Sequence, residues 1–195
     1  MRQGEIARRT GETDIVLKLN LDGSGRSRLD TGVGFLDHML TLLAKHGRLD
    51  LDVTCRGDTQ VDDHHSVEDI GIAFGAALRA ALGERRGVCR YAHAVLPMDE
   101  ALILCAVDLS GRAMLCCDLS FPTEKIGTFD TQLVEEFLLA MVREAGITLH
   151  VRQLAGVNSH HIAEGVFKAL ARCLRQAAAI DPAAAGEIPS TKGVL

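Results

Sequence analysis

The sequence has no tryptophan and a single tyrosine, Tyr91, and aromatic residues fill only 4% of its 195 positions. A platform for stacking bases, or an aromatic cage around a cationic ligand, is therefore poorly supported. Net charge is −5, so no general affinity for nucleic acid is implied. No apolar run is long enough to cross a bilayer, and the amino terminus, MRQGEIARRT, lacks the apolar core of a secretory signal. The six cysteines include no Cys-x-x-Cys pair, and Cys116 and Cys117 are adjacent. Without an export signal they read as reduced thiols of a cytoplasmic protein. Neither a membrane nor a nucleic-acid partner is expected. What remains is a chain of ordinary globular hydrophobicity, 47%, long enough for one domain or two small halves with a shared core.

What the sequence does have is a paired motif. Asp62 to Gly71 reads DDHHSVEDIG, with His64-His65-x-x-Glu68 at its centre, and SHHIAEG in the second half repeats it as His160-His161-x-x-Glu164. On a helix, residues three and four apart share a face. Glu68 can therefore meet His64 or His65. Adjacent histidines point about 100° apart, so each pair more naturally offers ligands to two different ions than to one. Imidazole with carboxylate suits divalent transition metals such as manganese, iron or zinc. The plainer reading is a polar helix start, with Asp62 or Asp63 as a cap; it accounts poorly for two copies.

The spacing of apolar residues supplies a framework. Asp14–Asp22 alternates as a strand, Phe35–Lys45 has helical spacing closed by Gly47, and Leu49–Cys55 alternates again before the helix that runs from the first histidine pair to Gly83. In the second half, strands are expected at Tyr91–Pro97, Ala101–Leu109 and Met114–Leu119. A helix at Thr131–Ala145, stopped by Gly146, a strand at Thr148–Leu154 and a long helix over Ser159–Ala179 follow. Leu51-Asp52-Val53 aligns with Leu149-His150-Val151, and His38 with Glu136; His38 lies 26 residues before His64, Glu136 24 before His160. The expectation is an internally duplicated strand/helix unit within one domain, 1–195, with halves of about 1–87 and 88–195. The fold class is α+β, with mixed, mostly antiparallel sheets and helices on one face.

The duplication yields eight candidate ligands: His38, His64, His65, Glu68, Glu136, His160, His161 and Glu164. His38 alone on an apolar helix would pass for a core histidine, but its alignment with the charged Glu136 argues for a shared site. His46, His93 and His150 have no such support and read as structural.

Taken in order, GFLDHML (34–40), DDHHSVEDIG (62–71), SGR (110–112), AGITLHV (145–151), NSHHIAEGVFKALAR (158–172) and PSTKG (189–193) resemble the imidazoleglycerol-phosphate dehydratases of histidine biosynthesis, over nearly the whole chain from about Arg9. The resemblance implies a ribosomal protein S5 domain 2-like fold and dehydration of D-erythro-imidazole-glycerol phosphate to imidazole-acetol phosphate by way of a metal-stabilised imidazolate. It implies two Mn2+ per subunit and a homo-oligomeric 24-mer with sites at subunit interfaces. Carried over residue by residue, one manganese falls to His38, His64, Glu68 and His161, the other to His65, Glu136, His160 and Glu164. Some members have histidine where this chain has Glu136; a carboxylate still suits manganese but makes that site more negative. The implied substrate contacts are Glu12, Arg90, Arg112, Lys168, Ser190, Thr191 and Lys192 beside the histidines and glutamates of the centre, with Glu12, Glu68 and Glu164 catalytic and Glu12 a proton-transfer group near the leaving hydroxyl. The cations suit a phosphate clamp. A dinuclear phosphohydrolase and a non-enzymatic metal-storage shell are the competing readings; the first would release free phosphate and the second would show no turnover.

Overall fold

The computed structural model describes residues 2–195. The first half runs β1 (Gln3–Arg9), β2 (Thr13–Asn20), β3 (Ser27–Asp30), α1 (Gly34–Gly47), β4 (Asp50–Gly57) and α2 (His64–Leu82). The second runs β5 (Tyr91–Met98), β6 (Ala101–Asp108), β7 (Met114–Asp118), a small hairpin of β8 (Lys125–Ile126) and β9 (Phe129–Asp130), then α3 (Leu133–Ala145), β10 (Thr148–Ala155) and α4 (Ser159–Ala177). Two four-stranded sheets result, ordered β1-β2-β4-β3 and β5-β6-β10-β7. In each, three strands pair antiparallel and the fourth joins in parallel. The class is α+β, as the alternating and helical spacings indicate.

Alternation decides which face of each sheet is covered. Ile15, Leu17 and Leu19 on β2, and Leu51, Val53 and Cys55 on β4, point inward and are buried, as are Ile103, Cys105 and Val107 on β6 and Leu149 and Val151 on β10. Helices α1 and α2 cover the first sheet, α3 and α4 the second; α2 then packs on α3 and α1 on α4. The sheets lie outside, the helices inside, and one continuous apolar cluster joins both halves. Each fully buried Leu, Ile or Phe there contributes about 1.5–3 kcal/mol relative to exposure. Close approach of α2 and α3 depends on glycine. A Cβ on Gly71 would stand 2.8 Å from the Phe137 carbonyl oxygen and 2.9 Å from the Ala140 Cβ.

Several boundaries depart from the sequence expectations. β1 and β3 were not foreseen. On β1 the inward positions include Gly4, where a Cβ would lie 2.2 Å from the Ala77 carbonyl oxygen, so the strand carries a glycine where a periodic signal needs an apolar residue. β3 is a four-residue edge strand with only Leu29 half-buried. Helix α1 ends with its left-handed turn on Arg48 (φ 53°), one residue beyond Gly47. Gly47 is instead a tight position, since a Cβ would stand 3.0 Å from Leu49 Cγ and 3.4 Å from the Ala171 carbonyl oxygen on α4. Gly146 does close α3 in the left-handed region, at φ 62°. α3 starts at Leu133 rather than Thr131, because the Thr131 hydroxyl donates to the carbonyls of Thr123 and Glu124 and holds that residue against the β8–β9 hairpin. α4 stops at Ala177, where the carbonyls of Ala177 and Ala179 accept from Arg90 and Cys89 and turn the chain away.

Candidate metal centre

The packing of α1 on α4 brings together three donors from opposite ends of the sequence. Among the described residues, His38, His160 and Glu164 form the one group of at least three metal-type donors whose ligand atoms all lie within 4.8 Å of one another. His38 Nε2 is 3.5 Å and His160 Nε2 3.3 Å from Glu164 Oε2. Phe35 sets its ring edge-on to both imidazoles, at 6.5 and 5.3 Å between centroids, which fixes their orientation from the apolar side. Glu164 is buried. Burial alone would raise its carboxyl pKa, but Lys168, one turn on and 2.5 Å from Oε1, with His38 on the other oxygen, holds it below the ordinary value. The carboxylate thus stays ionised with one oxygen engaged and the other facing two imidazoles. Two imidazole nitrogens and a carboxylate oxygen at this spacing fit a divalent transition ion.

The other helix pair carries the same residue types, but among the described residues no three of its donors close to that spacing. His64 Nε2 lies 3.7 Å from Glu68 Oε2 on α2. Gly71 rests on Phe137 and Ala140, and Gly75 on Met141, Glu144 and Ala145. Extending that parallel register one turn back brings Glu68 level with Glu136, half-buried on α3, while Glu135 is exposed. The chain therefore groups these residues differently from the division the resemblance implies: His38 stands with His160 and Glu164, not with His64, Glu68 and His161. Helix packing, which pairs α1 with α4 rather than with α2, is the cause.

The second histidine of each pair points elsewhere. His65 Nδ1 is 3.0 Å from Asp58 Oδ2, and its Nε2 is 3.6 Å from Glu12 on the β1–β2 turn. His161 Nδ1 is 2.6 Å from Glu100 Oε2, and its Nε2 3.6 Å from Asp99. The Asp58 and Glu100 carboxylates raise the pKa of His65 and His161 respectively, while His161 holds Glu100 down to about 2. Neither Asp58, Asp99 nor Glu100 was singled out by sequence reasoning. Asn158 was foreseeable, as an N-cap residue two positions before the first histidine; its Oδ1 accepts from the backbone N–H of His160 and His161. At α2 the corresponding bond comes from Asp62, which accepts from His64 N–H at 2.8 Å, whereas Asp63 makes no side-chain cap.

The expected phosphate contacts do not all meet the histidines. Arg90 is nearly covered, 11% exposed, and its guanidinium bonds Asp108 at 2.8 Å and the Pro189 carbonyl at 2.7 Å. Arg112, 67% exposed, reaches the same Asp108 only at 3.9 Å. Ser190, Thr191 and Lys192 lie beside them in the tail that Arg90 anchors, with Thr191 and Lys192 exposed. Lys168 alone of these sits at the metal donors, with Nζ 2.5 Å from Glu164 Oε1 and 3.4 Å from Met98 Sδ. Arg90 precedes β5 and Met98 ends it, a separation of roughly 26 Å along the strand. Arg90, Arg112 and the tail thus lie at the opposite end of the second sheet from the metal donors of the same chain, whereas Lys168 stands beside them. His46, His93 and His150 take no part in the cluster, and His93 and His150 lie exposed on the outer face of that sheet.

Comparison with known proteins agrees over the full length. Residues 31–174 match the family model described as imidazoleglycerol-phosphate dehydratase. The chain is 58% identical over 195 residues to the imidazoleglycerol-phosphate dehydratase of Synechococcus sp. (strain WH7803), covering 100% of this chain and 96% of that protein. It is also 58% identical to that of Jannaschia sp. (strain CCS1), with complete coverage of both. The crystal structure of imidazoleglycerol-phosphate dehydratase from Staphylococcus aureus superposes with a TM-score of 0.84 at 40% identity, covering 92% of this chain and 99% of that one. The enzyme from Pyrococcus furiosus gives 0.84 at 37% identity, covering 97% and 100%. With the same fold, matching sequence from end to end and paired histidines gathered on inner helices, the chain belongs to the imidazoleglycerol-phosphate dehydratase family of hydro-lyases.

Proposed function

We propose that this dehydratase of histidine biosynthesis converts D-erythro-imidazole-glycerol phosphate to imidazole-acetol phosphate and water with two manganese ions per subunit. The observation that carries the reading is the convergence of His38, His160 and Glu164 on one point between α1 and α4. Glu136, His64 and Glu68 are the matching donors between α2 and α3. His65 and His161, which turn Nε2 outward from those pairs, would complete sites formed with other copies of the chain. A divalent ion supplies Lewis acidity, which lowers the cost of negative charge on the substrate's imidazole ring.

The chain's own residues do the rest. Glu12, on an exposed turn 3.6 Å from His65, can take or return a proton near the leaving hydroxyl. Arg112 and Lys192 are the exposed cations available to a phosphate, while Arg90 holds the tail that carries Ser190, Thr191 and Lys192. Because these lie a strand's length from the metal donors, a working site draws on more than one chain. The outer face of the second sheet, with Tyr91, Val95, Met114 and Leu154 exposed, suits cover by another copy, in keeping with a closed 24-subunit shell. Incubating the manganese-loaded protein with imidazole-glycerol phosphate and following products tests the reading: the phosphorylated ketone is expected, and release of free phosphate would mark a phosphohydrolase instead.

A further inference from the structure

Glu100 occupies the two-residue turn between β5 and β6, outside every motif of the sequence. Its carboxylate holds two things together. Oε1 accepts from the backbone N–H of Val157 at 3.2 Å and of Asn158 at 2.9 Å, which ties down the loop leading into α4. Oε2 lies 2.6 Å from His161 Nδ1. Asn158, so placed, caps the helix through the N–H groups of His160 and His161.

A carboxylate in this position can only accept, so the shared hydrogen belongs on Nδ1. A neutral imidazole with Nδ1–H carries its lone pair on Nε2, the form that binds a divalent cation. The first half has the same relationship in His65 Nδ1 and Asp58, at 3.0 Å. His64 and His160 differ: they turn Nε2 toward carboxylates of their own helices. The carboxylate at Nδ1 thus marks the second histidine of each pair, the one aimed away from its own helix couple.

We propose that Glu100 is a positioning residue of the metal centre: it fixes His161 as the Nδ1–H tautomer with the Nε2 lone pair turned outward to ligate, 3.6 Å from the exposed Asp99, while the same side chain anchors the start of α4. The inference rests on the reading of His161 as a manganese ligand.

Glu100→Gln separates the two roles. The amide oxygen keeps the bonds from Val157 and Asn158, and the amide NH2 then faces Nδ1. A donor at that point makes Nδ1 the acceptor, moves the ring hydrogen to Nε2 and removes the ligating lone pair. His161→Ala removes the ligand outright and sets the scale. The experiment measures manganese binding to the metal-free full-length chain, from the electron paramagnetic resonance signal of the free ion, alongside thermal unfolding of the metal-free protein. Glu100→Gln should unfold with the parent yet bind one of two ions about 10- to 100-fold more weakly, approaching His161→Ala. If Glu100→Gln binds both ions as tightly as the parent while His161→Ala loses one, the role of Glu100 is overturned and the ligand reading stands. If His161→Ala itself binds both ions normally, the ligand reading fails and the proposal with it. A fall in melting temperature for Glu100→Gln as large as that for Glu100→Ala would reduce Glu100 to a structural anchor and likewise overturn the proposal.

Discussion

His38 and Glu164, 126 residues apart in sequence, stand 3.5 Å apart where α1 crosses α4. Nothing apolar requires an imidazole to face a buried carboxylate there, and a third donor, His160, closes on the same oxygen. His38→Ala should therefore leave the fold intact and weaken one bound ion. Equilibrium dialysis with manganese checks this; parent-like binding of two ions would remove His38 from the centre.

Glu136 tests the second helix pair. Glu136→Gln retains the volume but not the charge, and should lower affinity for one ion and slow turnover with unchanged melting. Glu136→His should be tolerated far better, since imidazole also ligates manganese and matches His38 in the other half. Glu135→Gln, on the exposed side of the same helix, should change neither. Manganese titration of the three variants distinguishes a ligand from a solvated carboxylate, for which Gln would cost only a few tenths of a kcal/mol.

The approach of α2 to α3 should be intolerant of side chains. Gly71→Ala places a methyl 2.8 Å from the Phe137 carbonyl oxygen, and Gly75→Ala one 2.4 Å from that of Met141. Each should destabilise by about 1–3 kcal/mol through overpacking, read by chemical denaturation, despite the better helix propensity of alanine.

Truncation after Ala185 removes the Glu187 and Pro189 carbonyls that accept from Gly87 N–H and Arg90. The chain should still fold, because α4 ends at Ala177, with a loss of about 0.5–1.5 kcal/mol per hydrogen bond. Substrate affinity should fall more than manganese affinity. An unchanged Michaelis constant and turnover would exclude the tail from the site.

If clamp and metal donors come from different chains, two inactive variants should complement. Arg112→Ala and His160→Ala chains, mixed before assembly, should regain part of the parental turnover, because some sites then draw both intact groups. Mixtures no better than the separate variants would place each site within one chain.

What could be foreseen from the sequence was local. The two HHxxE segments announce themselves because a histidine and glutamate four apart meet on any helix, and the helices and most strands follow from apolar spacing. The grouping of the candidate donors within one chain could not be foreseen, since it depends on α1 meeting α4 and α2 meeting α3, a matter of tertiary packing. Glu100 gave no signal because its partner His161 lies 61 residues away. β1 was missed because Gly4, which the crossing of α2 demands, interrupts its apolar face.

The most direct test is turnover as a function of manganese added to the metal-free protein, with imidazole-glycerol phosphate as substrate and ions counted per chain. The expected result is no ketone without metal and full turnover only as the second ion per chain is bound. Full activity in the metal-free protein, or a plateau at one ion per chain, would contradict a centre built from two sets of helix-borne histidines and glutamates.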